Sequence, residues 1–304
     1  MSAPNIGNVL YRLTSSARSA LFDQGELAQL TYSAFNVIAD KVRSDDEEVV
    51  EISFPVGYRP NRTSILSTRK YAKDDLVLRY QHLAFHQLPI NGLVQLVTIV
   101  EALLGDVVRA VVTRYPQKLG AKRAISLQLV LGAQSLEEIH LRATDALLND
   151  LTYKSPSEFA ESLESLLSIN LLECPAFLKY IEIKATRDIF IHNRGTTNDT
   201  YARKSGSHAR AKVGWSLPVD ITYFLESYEC CLQVTEWLER ALHEHWHSSE
   251  LEDSRDRPSD AAVEASLPSI ALAAEPTDEA DAGTPSASPK AKRNRRTRKG
   301  AARS

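Results

Sequence analysis

The sequence contains few of the residues that characterise several specialised protein classes. Its 304 residues include only 12 glycines, 13 prolines and 3 cysteines. These counts exclude a collagen-like repeat, a low-complexity chain and a disulfide scaffold. Cys230 and Cys231 are adjacent, a spacing that rarely forms a structural bridge, and Cys174 is the third cysteine. We therefore expect reduced thiols and a cytoplasmic protein.

An export signal and a membrane-spanning run are also absent from the sequence. The start, MSAPNIGNVLYRLTSSARSALF, lacks an apolar stretch followed by a small-residue cleavage site. The most apolar window, residues 93–112, contains Gln95, Glu101, Asp106 and Arg109. A spanning helix would bury these side chains at high cost, so this window predicts a core helix and no membrane partner.

Charge is nearly balanced in total but unevenly distributed. The chain has 36 basic and 39 acidic residues, a net charge of −3, which argues weakly against a nucleic-acid partner. However, residues 290–304 contain eight basic and no acidic residues, whereas residues 252–281 contain nine acidic and two basic ones. In the net charge, the acidic stretch therefore offsets the positive charge of the C-terminal segment. That segment either attracts RNA, DNA or an acidic partner or serves only for solubility.

Hydrophobic periodicity and composition divide the chain into three parts. Residues 1–85 predict an N-terminal extension of mixed structure, with a helix over residues 26–43 and a short strand over residues 48–54. Residues 86–251 predict an α-helical domain. Residues 252–304 have no aromatic residue and are rich in Ser, Ala, Pro, Asp and Glu, which predicts a disordered tail. The predicted fold class is mainly all-α, a helical bundle with little sheet.

Capping residues predict several helix boundaries. Ser135 and Ser155 are each followed three residues later by Glu, the pattern of a capping box at a helix start. Another helix is expected to begin at Pro175 and to end at Gly195, which suits a left-handed C-terminal cap. Pro218 is expected to start the last long helix.

The end of the helix that begins at Pro175 carries the clearest chemical signal. It contains Arg187, Asp188 and His192 within six residues. At about 100° and 1.5 Å per residue, Asp188 and His192 share a face, whereas Arg187 and His192 diverge by about 140°. Asp188 is therefore expected to orient His192, or to be paired by an arginine from elsewhere. Glu101 is expected either at an exposed edge or as a buried partner for a base such as Arg187.

These residue types suit metal-independent cleavage of RNA. An imidazole moves protons near neutral pH, and a guanidinium binds a phosphate and stabilises its growing negative charge. A 2′-hydroxyl activated in this way attacks the adjacent phosphate and leaves a cyclic phosphate, with no metal or cofactor. Because Arg187 and His192 diverge on one helix, two helices across a two-fold axis would bring their groups to one phosphate. The sequence thus predicts a homodimer with a composite active site.

The segment from Arg187 to His192, Arg-Asp-Ile-Phe-Ile-His, resembles the Arg-polar-x3–5-His motif of the HEPN superfamily. The surrounding IEIKATRDIFIHNRG and the long apolar helix upstream are similar to defence-associated HEPN families over roughly residues 90–247. The resemblance implies a HEPN-like helical bundle and an endoribonuclease of a toxin–antitoxin or anti-phage system, with an RNA substrate and an antitoxin or defence partner. It implies catalytic roles for Arg187 and His192 and a supporting role for Asp188. Some HEPN proteins do not cleave RNA, so an inactive RNA- or protein-binding module is the alternative.

Basic residues continue into the loop that follows this helix, where Asp199 is the single acid. The candidate RNA-binding residues are Arg194, Arg203, Lys204, Arg210 and Lys212. They predict binding to the RNA backbone that weakens with salt and does not depend on the RNA sequence. The alternative is a solvated loop.

A second motif, His243-Glu244-x-x-His247, matches the zinc protease signature His-Glu-x-x-His. The match lies on the last turn before the predicted disordered tail, whereas a catalytic zinc site needs a third protein ligand and a shaped pocket. Histidines at a helix end are also electrostatically favourable without a metal. We therefore expect no metal site here and regard a zinc protease as the weaker alternative.

Overall fold

The computed structural model describes residues 5–119, 130–152, 154 and 156–255. The helices are α1 (Ile6–Ser44), α2 (Lys73–His82), α3 (Leu88–Arg114), α4 (Leu136–Thr152), α5 (Pro156–Leu167), α6 (Phe177–Asn193), α7 (Asp199–Ser205), α8 (Ile221–Trp246) and α9 (Ser249–Arg255). One two-stranded sheet, formed by β1 (Val49–Tyr58) and β2 (Ser64–Ala72), accompanies them in this part of the chain. The prediction of a mainly α-helical protein is confirmed.

The centre of the bundle is α3, the apolar helix predicted from residues 93–112. Its stripe Leu93, Val97, Val100, Leu104 and Val108 is at most 5% exposed and packs into the main hydrophobic core. Each fully buried side chain of this size contributes about 1.5–3 kcal/mol to folding. Helices α1, α6 and α8 pack against α3 and hold it in place.

The first helix is much longer than the predicted span of residues 26–43. Asn5 caps it by accepting a hydrogen bond from the Gly7 amide at 2.9 Å. Its buried stripe alternates large residues such as Leu10 and Leu21 with small ones such as Ala17, a pattern that conceals the periodicity. Because α1 packs against α3 and α8, it shares their core.

The predicted domain boundary near residue 85 falls inside a continuous helical run. A π-helical turn, Leu83–Gln87, joins α2 directly to α3. Before this run, β1 pairs with β2 in an antiparallel hairpin, so the predicted strand over residues 48–54 has a partner that the sequence did not reveal. The described residues up to Arg255 belong to one compact unit.

The capping predictions agree with the described helix ends where they can be compared. The Ser135 hydroxyl accepts a hydrogen bond from the Glu138 amide at 3.1 Å, and the Glu138 carboxylate accepts one from the Gln134 amide at 2.7 Å. The predicted cap at Ser155 lies outside the described residues. The last long helix starts at Ile221, slightly after Pro218, because Asp220 supplies the cap.

Helix α6 ends in two consecutive left-handed residues. Arg194 has φ 52° and Gly195 has φ 77°, and the Gly195 amide donates to the Ile189 carbonyl at 3.2 Å. This geometry confirms the predicted stop at Gly195, where the missing Cβ removes the usual steric cost of positive φ.

The C-terminal end of the described chain is helical. After α8 ends at Trp246, α9 extends to Arg255, so the first residues of the predicted disordered tail are part of a short helix. The remainder of that predicted tail, from residue 256 onward, lies outside the described residues. Among the helices that the structure describes, none has the length and apolar character needed to cross a membrane.

Candidate functional site

The predicted catalytic residues lie on the last two turns of α6. This helix packs against α3 on one side and α8 on another, and the loop after it folds back through α7. About half of α6 is buried, including the polar residues Glu182 and Thr186, whereas its C-terminal turn reaches the surface. The same helix therefore carries an internal polar network and an exposed end.

Arg187 points from α6 toward α3, where Glu101 accepts a hydrogen bond from its guanidinium. The ammonium of Lys184, one turn earlier on α6, donates to the other oxygen of the same carboxylate. The side chains of Arg187 and Glu101 are 14% and 32% exposed. Glu101 is therefore the partner of Arg187, but its side chain is partly exposed rather than buried, so it lies between the two expected positions.

Asp188 lies between two basic side chains. Its Oδ1 is 3.4 Å from Nε of Arg187, and its Oδ2 is 3.8 Å from Nζ of Lys204. The first contact is close enough for an ion pair, but Nε of Arg187 makes no aligned hydrogen bond within the described chain. Neither contact involves His192, and the arginine beside Asp188 is its chain neighbour Arg187 rather than one from elsewhere in the chain.

His192 is exposed at the end of α6. Within the described residues it makes no hydrogen bond or ion pair that would hold its ring. Ile191 beside it is 48% exposed, and Arg194 is also exposed. Since Arg187 faces α3 and His192 faces solvent, one chain does not bring the two groups together, as the helical geometry predicts.

The five candidate RNA-binding residues fall into two groups. Arg194, Arg203 and Lys212 are exposed, so their charges face solvent. Lys204 and Arg210 are partly buried and have acidic partners on α6. The sequence alone gives no means of separating these groups, because an exposed and a buried basic residue look the same in a polar loop.

Arg210 belongs to a buried network around Glu182, whose side chain is 0% exposed. The Arg210 Nε and the Tyr201 hydroxyl donate to Oε1 of Glu182 at 3.1 and 2.9 Å. The Tyr223 hydroxyl donates to Oε2 at 2.8 Å, and the Arg210 guanidinium lies 3.4 Å from the centre of the Tyr223 ring. These contacts attach the loop after α6 to the bundle, so Arg210 has a structural position rather than an exposed one.

Burial raises the pKa of Tyr201 and of Tyr223, and the nearby Glu182 charge raises both further. Both hydroxyls therefore stay protonated and remain donors to the carboxylate at neutral pH. Sequence reasoning missed Glu182; the available signal was a single acid flanked by isoleucines in the run YIEI. A buried acid of this kind requires a partner, and here several polar groups satisfy it.

The histidine motif near the end of α8 has a different local structure from a metal site. His243 Nδ1 accepts a hydrogen bond from the Ser248 amide at 3.0 Å, so one ring nitrogen already has a partner. His247 lies beyond the helix end with φ 47°. The described part of the chain contains no group of three or more His, Cys, Asp or Glu side chains placed to hold a metal.

Comparisons with known proteins give no relative: no family model, no curated protein and no solved structure matches the chain.

Proposed function

We propose that the protein is a metal-independent endoribonuclease of HEPN type that acts as a homodimer. The observation that carries the proposal is the exposed His192, which has no partner in the described chain and is followed two residues later by the exposed Arg194. An imidazole in this setting is free to exchange protons with a bound substrate. The proposed biological role is in a toxin–antitoxin or anti-phage system.

In the proposed reaction, His192 accepts the proton of an RNA 2′-hydroxyl. The 2′-oxygen forms a bond to the adjacent phosphorus, and the bond from phosphorus to the 5′-oxygen breaks. The leaving oxygen takes up a proton, and a 2′,3′-cyclic phosphate remains on the other fragment. General acid–base catalysis contributes about 10²–10⁴-fold to such a step.

Arg187 supplies positive charge near the reacting phosphate in this proposal, and Asp188 supports it. Because Arg187 and His192 diverge on one helix, the imidazole and the guanidinium would come from two protomers whose α6 helices face each other. Arg187 would share its charge between the phosphate and Glu101, since a guanidinium has five N–H donors.

The RNA backbone would bind to the exposed residues Arg194, Arg203 and Lys212. Trp215 in the same loop is 66% exposed, and an exposed indole offers a surface on which an unpaired base stacks. This combination of cations and one aromatic ring favours single-stranded RNA with little sequence preference.

The test is cleavage of labelled single-stranded RNA by the full chain in EDTA. We expect fragments that end in a cyclic or 3′-phosphate, and a loss of about 100-fold or more in rate for His192→Ala. His208→Ala is the matched control, because His208 is an exposed histidine of the neighbouring loop. Equal cleavage by His192→Ala and the parent protein would show that His192 has no catalytic role.

The composite site has its own test. His192→Ala and Arg187→Ala are each expected to be inactive, but a mixture of the two should regain part of the activity through mixed dimers. Sedimentation of the parent protein should show a dimer. A monomer, or a mixture as inactive as either variant, would contradict the shared site.

A second candidate is a catalytically inactive HEPN-like module that binds RNA or protein. The pairing of Arg187 with Glu101 favours it, because a neutralised guanidinium stabilises a phosphate less well. This candidate predicts RNA binding without new termini, and loss of that binding when residues 286–304 are deleted. The cleavage assay in EDTA therefore separates the two.

A further inference from the structure

A cavity of about 140 Å³ lies between α3, α4, α5 and α6, next to the Glu101 carboxylate. Apolar side chains from all four helices form most of its wall. These include Leu104, Val108, Leu148, Leu151, Phe159 and Leu163. Apolar cavities of about 150 Å³ accommodate a benzene molecule, so this one has room for a phenyl-sized body.

Three lysines line the same cavity, each only partly exposed. The side chains of Lys154, Lys184 and Lys204 are 26%, 20% and 21% exposed. An ammonium in a partly apolar setting is more weakly screened than one at the surface, so it attracts an anion more strongly.

The charges linked to this lining do not balance. Lys204 pairs with Asp188 at 3.8 Å, and Lys154 lies 3.6 Å from Asp150. Lys184 and Arg187 share the single carboxylate of Glu101. Four cations therefore face three carboxylates, and the surplus positive charge lies at the wall between α3 and α6. One negative charge on a ligand would neutralise it.

Tyr180 provides a further polar group in this wall. It is 1% exposed, lines the cavity, and its hydroxyl has no hydrogen-bond partner in the part of the chain that is described. Burial raises the pKa of Tyr180 well above its ordinary value, so the hydroxyl stays protonated and able to donate. A buried donor without a partner costs stability.

We propose that this cavity is a binding site for a small aromatic monocarboxylate. The ring lies among the apolar side chains from α3, α4 and α5, and the carboxylate accepts a hydrogen bond from Lys184. His192 is not part of the cavity lining, so His192→Ala separates the two proposals: it should abolish RNA cleavage and leave binding in the cavity unchanged.

The test is calorimetric titration of the full chain with benzoate and, as an uncharged analogue, benzyl alcohol. We expect benzoate to bind about tenfold or more tightly than benzyl alcohol, because only benzoate pairs with the surplus charge. Lys184→Gln should remove most of this difference. Lys179→Gln is the matched control, since Lys179 is on the same helix but pairs with Glu226 outside the cavity.

A second variant fills the cavity without changing a charge. Gly105 lines it, and a Cβ added there would meet no atom within 4 Å, so Gly105→Leu places its side chain in free space. Leucine also favours the helix over glycine, which protects folding. Gly105→Leu should lose binding of both probes, and His192→Ala should retain it. Equal affinity for the two probes, no binding of either, or unchanged binding by Gly105→Leu would overturn the proposal.

Discussion

The guanidinium of Arg187 donates a hydrogen bond to the carboxylate of Glu101, 86 positions earlier in the chain. This ion pair joins the C-terminal half of α6 to the middle of the central helix α3. The predicted catalytic arginine is therefore paired with an acid from another helix. In the proposed reaction, the charge that Arg187 offers to a phosphate would therefore depend on Glu101.

Replacing Glu101 should change RNA affinity. Glu101→Gln keeps a hydrogen-bond acceptor but removes the negative charge that competes with a phosphate for Arg187. We expect RNA to bind about three- to tenfold more tightly at low salt, with a smaller difference at high salt. Fluorescence anisotropy with labelled single-stranded RNA measures the change. Glu226→Gln, which removes an acid paired with Lys179, is the control and should leave affinity unaltered.

Glu182 should be the most sensitive acid for stability. Glu182→Gln leaves the partly buried Arg210 without its anionic partner and disturbs the donors Tyr201 and Tyr223. We expect the free energy of unfolding to fall by about 3 kcal/mol or more in urea denaturation. Glu229→Gln, on the exposed side of α8, should cost less than about 0.5 kcal/mol. A similar cost for both variants would contradict a structural role for Glu182.

Stability should decline in alkaline solution. Burial raises the pKa of the Cys230 thiol to about 12, whereas a free thiol has a pKa of 9.0. Between these values the unfolded chain binds fewer protons than the folded one. The contribution of this thiol to the free energy of unfolding should therefore be constant below about pH 8.5. Above that pH it should fall by up to about 1.4 kcal/mol per pH unit.

The variant Cys230→Ala isolates this contribution. Urea denaturation at several values between about pH 7.5 and 10 should show a shallower decline for Cys230→Ala than for the parent protein. Cys174 and Cys231 also have raised pKa values through burial, so some decline should remain. The same slope in both proteins would mean that the Cys230 thiol is not protected by the core.

Substitution of Gly7 tests how closely α1 packs against the end of α8, and substitution of Gly105 on α3 is the comparison. A Cβ added to Gly7 would collide with the carbonyl oxygens of Trp246 and His247, whereas one added to Gly105 would meet nothing within 4 Å. We expect Gly7→Ala to destabilise the protein by about 1–3 kcal/mol and Gly105→Ala to stabilise it by about 0.5–1 kcal/mol. Thermal denaturation measures both. An unchanged melting temperature for Gly7→Ala would show that α1 does not pack closely against the end of α8.

Local signals predicted much of the fold because they act over a few residues. The hydrophobic period of α3, the cap at Ser135 and the stop at Gly195 each depend on nearby residues, and the structure agrees with them. The first half of α1 was missed because small buried residues such as Ala17 and Gly25 weaken the apolar pattern. Its burial depends on close approach of α3 and α8, which no local pattern reports.

In the candidate site too, some features follow from local sequence and others from the packing of distant segments. The divergence of Arg187 and His192 follows from the sequence, because the helical rotation per residue sets the angle between them. The pairing of Arg187 with Glu101, the place of Arg210 beside the buried Glu182 and the exposure of His192 became visible in the folded chain. Those outcomes depend on which helices pack together. Packing brings together residues that are far apart in the chain, and the local sequence around one such residue does not indicate its partner.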